Sequence, residues 1–222
     1  IFGSERIGTM MEALGLPDDT PIENRMVSRS LESAQKKVEG HNFDIRKNLV
    51  EYDDVMNQHR EIMYARRRSI LKKDSLKEDL IPLFESEFRA LIGGATDQQT
   101  DILDLAKLAE GVRDVIPLEK GWEDEQKTKD HDVLIKQFMD IVEEVYRQRY
   151  MEFNDEGVMV IERMVSLNTI ASSWLEHLEA MEHLRSGIGL RSYAQRDPLV
   201  EYKQESYRMF KELQRRIDSE IV

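Results

Sequence analysis

No proline falls between Val27 and Ile81, and through most of that interval apolar residues return every three or four positions. The row runs Leu31, Ala34, Val38, Ile45, Leu49, Tyr52, Met56, Met63 and Ile70, with His41, His59 and Arg66 taking the remaining steps. Heptad-like spacing of this kind keeps one seam of a helix turned toward a partner. Ser30 stands where a helix cap belongs. The pattern predicts a helix from Leu31 to about Lys73, roughly 60 Å long at 1.5 Å per residue. An element of that length acts as a spine, and other parts of the chain must lie along it.

The remaining segments read as helices too. Ser4 to Leu14 forms a short one stopped by Gly15 and Pro17, and "LPDDTPIEN" is a turn-rich connector. Residues 77–150 change character, with Pro82, the Gly93-Gly94 pair, Gly111, Pro117, Gly121 and the acidic "GWEDEQ". Helices are expected there at about Leu76–Leu91, Asp101–Ala109 and Asp130–Phe153, the last with Leu134, Phe138, Ile141, Val142 and Val145 on its buried face. From Gly157 a stripe of Val160, Met164, Leu167, Ala171, Trp174, Leu178 and Met181 predicts an amphipathic helix to about Leu184, stopped by Gly187 and Gly189. Asp197 followed by Pro198 opens another helix, whose apolar face is Leu199, Tyr202, Phe210, Leu213, Ile217 and Ile221. These two form an antiparallel hairpin with a loop at about 186–197. Nothing alternates with the period of a strand. The fold class is all-α: one very long helix packed with a two-helix hairpin, plus an inserted small helical lobe.

Composition narrows the function. With 32 Lys and Arg against 44 Asp and Glu, the net charge is −12, which argues against nucleic acid as a partner. The cluster Arg66, Arg67, Arg68, Lys72 and Lys73 reads as a solvated helix face. There is no cysteine, hence no disulfide and no thiolate metal site. No apolar run approaches the roughly 20 residues that span a bilayer. The chain opens on Ile1 without a signal-type segment and reads as a piece of a longer protein.

Motifs for catalysis are missing. No G-x-x-x-x-G-K-[ST] cradles a phosphate, and neither G-x-G-x-x-G nor G-x-S-x-G occurs. A di-metal bundle needs Glu-x-x-His, and none of His41, His59, His131, His177 or His183 has a glutamate three positions earlier. The histidines and Trp174 therefore read as packing or surface residues, and most methionines as core. One stretch resists so plain a reading. "HLRSGIGLRSYAQRDPLVEYK", His183 to Lys203, sets Ile188, Leu190 and Tyr193 in a turn among Arg185, Arg191 and Arg196. An ordinary connector is short and polar.

Three stretches carry a resemblance. "NFDIRKNLVEYDDVMNQHR", Asn42 to Arg60, resembles the long scaffold helix of the SecA family, the motors of bacterial preprotein export. "WLEHLEAMEHLRSGIGLRSYAQRDPLVEYKQESYRMF", Trp174 to Phe210, resembles that family's two-helix finger, and "IFGSERI" resembles the segment leaving its second motor domain. The resemblance implies scaffold at residues 1–76, an inserted helical wing at 77–155, and scaffold with finger at 156–222. It implies that the finger loop contacts unfolded preprotein and the SecYEG channel, with Tyr193 at the tip and Ile188, Leu190 and Gln195 around it. Such a loop must accept unrelated sequences, and an aromatic ring offers broad contact at small entropic cost. Arg185, Arg191 and Arg196 would face anionic lipid or channel carboxylates. Arg46 and Asp44 match positions that touch the motor domains and restrain their ATPase.

Further implications concern what lies outside this stretch. The ATP- and Mg-binding motor domains are not in it, so the chain alone is expected to be no enzyme and to hold no cofactor. The parent would work in the bacterial cytoplasm, peripherally on the inner face of the plasma membrane, and could pair with a second copy of itself. A reading from a different class is a free-standing helical adaptor that binds a partner helix along the seam. It explains Leu31 to Ile70 but gives no reason for the loop.

Overall fold

The computed structural model describes the backbone of residues 25–191 and 197–222, and the side chains of residues 28–154, 156–188 and 197–222. The expected helix at Ser4–Leu14 lies outside them. Among the described residues the helices are, in order, α1 (Arg25–Lys72), α2 (Lys77–Ala95), α3 (Leu105–Val115), α4 (Trp122–Glu125), α5 (His131–Arg191) and α6 (Pro198–Ile221). Among the described residues there is no strand, only an isolated bridge between Thr96 and Leu103. No described helix is long and apolar enough to cross a membrane.

The proline-free run is a single helix of 48 residues, starting about two turns before Leu31. The chain divides into two units inside it, the first ending at Asp54 and the second running from Val55 to Val222. In the first unit the seam is exposed, with Leu31, Val38, Ile45 and Leu49 between 41 % and 58 % accessible. In the second unit the same seam is covered: His59 and Met63 are buried, while Met56, Arg66 and Ile70 are half-buried.

The lobe has its own core. Phe88 and Ile92 of α2, Leu108 and Val112 of α3, and Leu134, Phe138 and Val142 of α5 form one buried cluster. Aromatic rings thread it, from Trp122 to Phe138 at 5.3 Å, Phe138 to Phe88 at 5.2 Å, and on through Phe84 to Tyr146. Local chemistry fixes its helix starts. Asp104 accepts from the backbone N–H of Ala106 and Lys107, and Asp130 accepts from those of Asp132 and Val133. Such caps satisfy donors that the first turn leaves unpaired.

Two expected boundaries move here. α2 continues through Gly93 and Gly94 to Ala95 rather than ending at Leu91. α3 covers Leu105–Val115 rather than Asp101–Ala109, because Asp101 sits at φ 54°, outside helical geometry, and Asp104 supplies the cap.

α5 holds a bend. Asn154 has φ 56° and ψ 171°, which breaks the helix between lobe and hairpin. Its Oδ1 accepts from the Gly157 N–H at 2.9 Å, so the same side chain starts the helix anew. After the bend, Arg163 donates to the Lys73 carbonyl at 2.7 Å and satisfies the open C-terminal end of α1. The segment leaving the lobe thus returns to the point where the chain entered it.

Large-to-small substitution should separate these environments. Phe138→Ala, at a fully buried site, is expected to cost about 3–5 kcal/mol in urea unfolding of the 222-residue chain. Val38→Ala, at an exposed one, should stay within about 0.5 kcal/mol of the parent. Asn154→Ala loses the cap and keeps the unfavourable φ, and should cost about 1–2 kcal/mol.

Candidate functional site: the junction of the long helix and the hairpin

Where the second unit begins, three helices share a core. Met63 of α1 packs with Ile170 of α5 and with Phe210, Leu213 and Ile217 of α6, flanked by Ile70, Trp174 and Ile221. The α6 face is the one its sequence pattern predicts, with Tyr202, Phe210, Leu213 and Ile217 buried and Leu199 and Ile221 partly so. Its start is likewise as expected: Pro198 follows Asp197, whose Oδ1 accepts from the Leu199 N–H at 2.9 Å.

The α5 face differs from expectation. Buried positions after the bend are Val158, Ser166, Ile170, Ser173, His177, Met181 and Ile188. Of the stripe read from apolar content, only Met181 is fully buried, and Val160 and Met164 are more than half exposed. The helix has rotated by about one residue relative to the sequence reading. Serines explain why. Ser166, Ser173 and Ser206 are small enough to let the helices approach closely, and the hydroxyls of Ser173 and Ser206 find partners nearby. Ser206 bonds to the Lys203 carbonyl at 3.1 Å, and Ser173 donates to Glu220 at 3.3 Å. A row of small residues at helical spacing was present in the sequence but carried no hydrophobic signal.

At the centre lies a histidine pair that composition alone did not single out. His59 Nδ1 and His177 Nε2 are 3.2 Å apart, and both rings are buried, 6 % and 5 % exposed. The His59 ring stacks on Phe210 at 4.1 Å with 3° between the planes, and Trp174 lies 5.6 Å from His177. One imidazole donates and the other accepts, so the accepting ring is neutral. Burial lowers His59 to about 4, aided by the neighbouring His177; burial lowers His177 to about 4 as well, aided by Arg216. Charged contacts ring the junction: Arg66 to Asp218 at 2.5 Å and Arg216 to Glu176 at 2.6 Å. Arg67 and Arg68 of the basic cluster are exposed, as a solvated face should be. No group of three or more potential metal ligands occurs among the described residues.

The hairpin's bend is partly described. α5 does not stop at Gly187 and Gly189 but continues to Arg191. That places Ile188 one turn beyond Leu184 on the row of His177 and Met181, where it is 3 % exposed. Ile188 is thus buried in this chain, on the inner side of the helix. Arg185 is half-buried on the same helix. Leu190 and Arg191 belong to the helix, but their side chains, and Tyr193, Gln195 and Arg196 altogether, lie outside the described residues. Arg46 and Asp44 are exposed residues of the first unit, and Arg46 Nε reaches the Asn42 carbonyl at 3.4 Å. The described residues therefore bring together none of the expected tip set; what they assemble is the junction beneath it.

The histidine pair makes the junction sensitive to acid. Each ring binds a proton more weakly folded than unfolded, where its pKa is about 6.5. Stability is complete above that value and falls as pH drops toward about 4, by on the order of 2–3 kcal/mol per imidazole. Melting temperature should fall through this window in the wild-type chain. His59→Phe keeps a ring on Phe210 and should flatten the profile; an unchanged slope would remove the pair as its cause.

Comparison with known proteins places this arrangement. The family described as SecA Wing and Scaffold domain matches residues 21–222. The chain is 40 % identical over its whole length to the protein translocase subunit SecA of Thermodesulfovibrio yellowstonii, of which it spans 24 %. It is 39 % identical to those of Clostridium kluyveri, covering 96 % of this chain and 26 % of the relative, and Acinetobacter baumannii, covering 100 % and 25 %. It thus spans about a quarter of the length of the relatives it matches. The all-helical chain, with its long helix, inserted lobe and hairpin, belongs to the SecA wing and scaffold family.

Proposed function

We propose that this chain is the coupling portion of a protein-export motor, transmitting movement of ATP-driven domains to a hairpin that pushes unfolded preprotein into the SecY channel. The reading is carried by the shared core in which α1 packs directly on both arms of the hairpin through His59, Met63, Phe210 and Ile217. Packed interfaces shift as bodies between discrete arrangements, so a helix seated in this way can hand on a displacement. The relatives bear the name protein translocase subunit, which gives the displacement its purpose.

Under this reading, the exposed seam from Leu31 to Leu49 is the face for the motor domains, with Arg46 and Asp44 beside it as contacts. The same exposure also fits an adaptor that captures a partner helix, the second reading; a helix offered to a motor of the same parent is the narrower claim. Tyr193, Leu190 and Gln195 would meet the preprotein, and Arg185, Arg191 and Arg196 the channel mouth or anionic lipid. The parent would act in the cytoplasm at the inner face of the bacterial plasma membrane. ATP and Mg would be bound by its motor domains, leaving this portion without an activity of its own.

Two measurements test the proposal. In a full-length relative, alanine at the position matching Tyr193 should slow translocation several-fold while basal ATP hydrolysis changes little; equal loss of both would contradict a tip that touches substrate. The purified 222-residue chain should show no ATP turnover above background, and turnover that follows the protein through purification would overturn that assignment.

A further inference from the structure

We propose that the cleft at the Asn154 bend, between lobe and hairpin, docks a polypeptide segment that carries a lysine or arginine among apolar residues. The proposal rests on the reading of this chain as part of a machine that handles protein substrates, and adds a contact away from the hairpin tip.

The cleft encloses about 490 Å³. Phe84, Tyr146, Arg149 and Phe153 line it from the lobe side, and Ile161 and Glu162 from the hairpin side. Glu162 is its unusual member. Both carboxylate oxygens are shielded from solvent, and neither meets hydrogen-bond geometry with any donor. Burial raises its pKa, while the Tyr146 hydroxyl and the Lys77 ammonium pull the other way. Lys77 itself lies over the Tyr146 ring, 5.7 Å from its centre. Arg149 is occupied with Glu152 at 3.5 Å and with the Phe153 face. A carboxylate held out of water with a phenol beside it and no ion pair is costly, and a cation delivered to it removes that cost.

The walls suit what would carry the cation. Phe84 and Tyr146 meet edge to face, 6.3 Å apart, and offer ring surface to an aliphatic stem. Outside the cleft the apolar surface continues: Phe153 and Ile161 are exposed by 45 % and 47 %, and Met164 and Val165 extend it one helical turn beyond Ile161. A small amine would leave that rim bare, whereas an apolar segment flanking a basic residue covers it. Charge and shape therefore select a peptide, with the buried carboxylate as the discriminating group.

The test uses the 222-residue chain and a fluorescent dodecapeptide of leucine and alanine with one central lysine, compared with the same peptide carrying norleucine or glutamate there. Anisotropy titration should give roughly tenfold tighter binding of the lysine peptide than of the norleucine one, the scale of one charged hydrogen bond. Glu162→Gln should bring the two within about twofold, and Phe153→Ala should weaken both alike. Equal binding of lysine and norleucine peptides by the wild-type chain overturns the proposal, as does a preference that survives Glu162→Gln. Melting supplies an independent arm. Relief of a buried charge should leave Glu162→Gln at least as stable as the parent, and a lower melting temperature would make Glu162 a structural partner of Tyr146 above all. If the lysine peptide binds this chain but not a full-length relative, another part of the parent fills the cleft, and the proposal fails for the assembled protein. Peptide binding needs neither motor nor channel, so failure here leaves the coupling role standing, and the reverse holds.

Discussion

Two imidazoles removed from water set the terms for the hairpin's seat on the long helix. A purely apolar contact between helices tolerates small slips, because one methyl group replaces another at little cost. Nitrogen atoms 3.2 Å apart do not tolerate them. A slip that separates His59 from His177 leaves buried polar groups unpaired, at a cost comparable to a lost core side chain. The stack of His59 on Phe210 ties the same ring to α6, so one residue of α1 fixes the position of both hairpin arms. Arg66 with Asp218 and Arg216 with Glu176 repeat the constraint around the rim, with screened and therefore weaker terms. Coupling by rigid-body movement needs a seat of this kind, which resists gradual deformation.

The second unit divides its apolar burial between two centres. The lobe closes around Phe88, Leu108 and Phe138, and the junction around Met63, Phe210 and Ile217. Between them lies the bend at Asn154, where the aromatic series from Trp122 ends near Tyr146 and Tyr150. This part is less well sealed than either core, and Phe153 and Ile161 remain half-exposed there. Two separate cores allow each body to keep its internal packing when the other is loaded.

Much of this was legible in the residues, for identifiable reasons. The long helix follows from a proline-free run with steps of three and four, and α6 from Asp197-Pro198 and a strongly apolar face. Both signals are local and need no knowledge of tertiary contacts. The rotation of α5 was not legible, because Ser166, Ser173 and His177 occupy its buried face while Val160 and Met164 lie outside it. Hydrophobic content identifies a buried row only when the row is apolar, and close helix contacts reward small residues instead. The passage of α5 through Gly187 was hidden in a similar way. Glycine weakens a helix by about 1 kcal/mol, which packing of the next residue, Ile188, can offset. The His59–His177 pair and the Glu162 cleft each join residues about 80 to 120 positions apart, beyond the reach of any linear pattern.

The bond from Arg163 to the Lys73 carbonyl has a wider meaning. It holds the outgoing segment beside the incoming one, so the lobe hangs from a closed stem. A loop pinched at its neck can gain or lose residues without altering the register of what it hangs from. The lobe is accordingly the place where such a protein could lengthen, shorten or exchange its decoration over time, while the long helix and the hairpin stay in alignment.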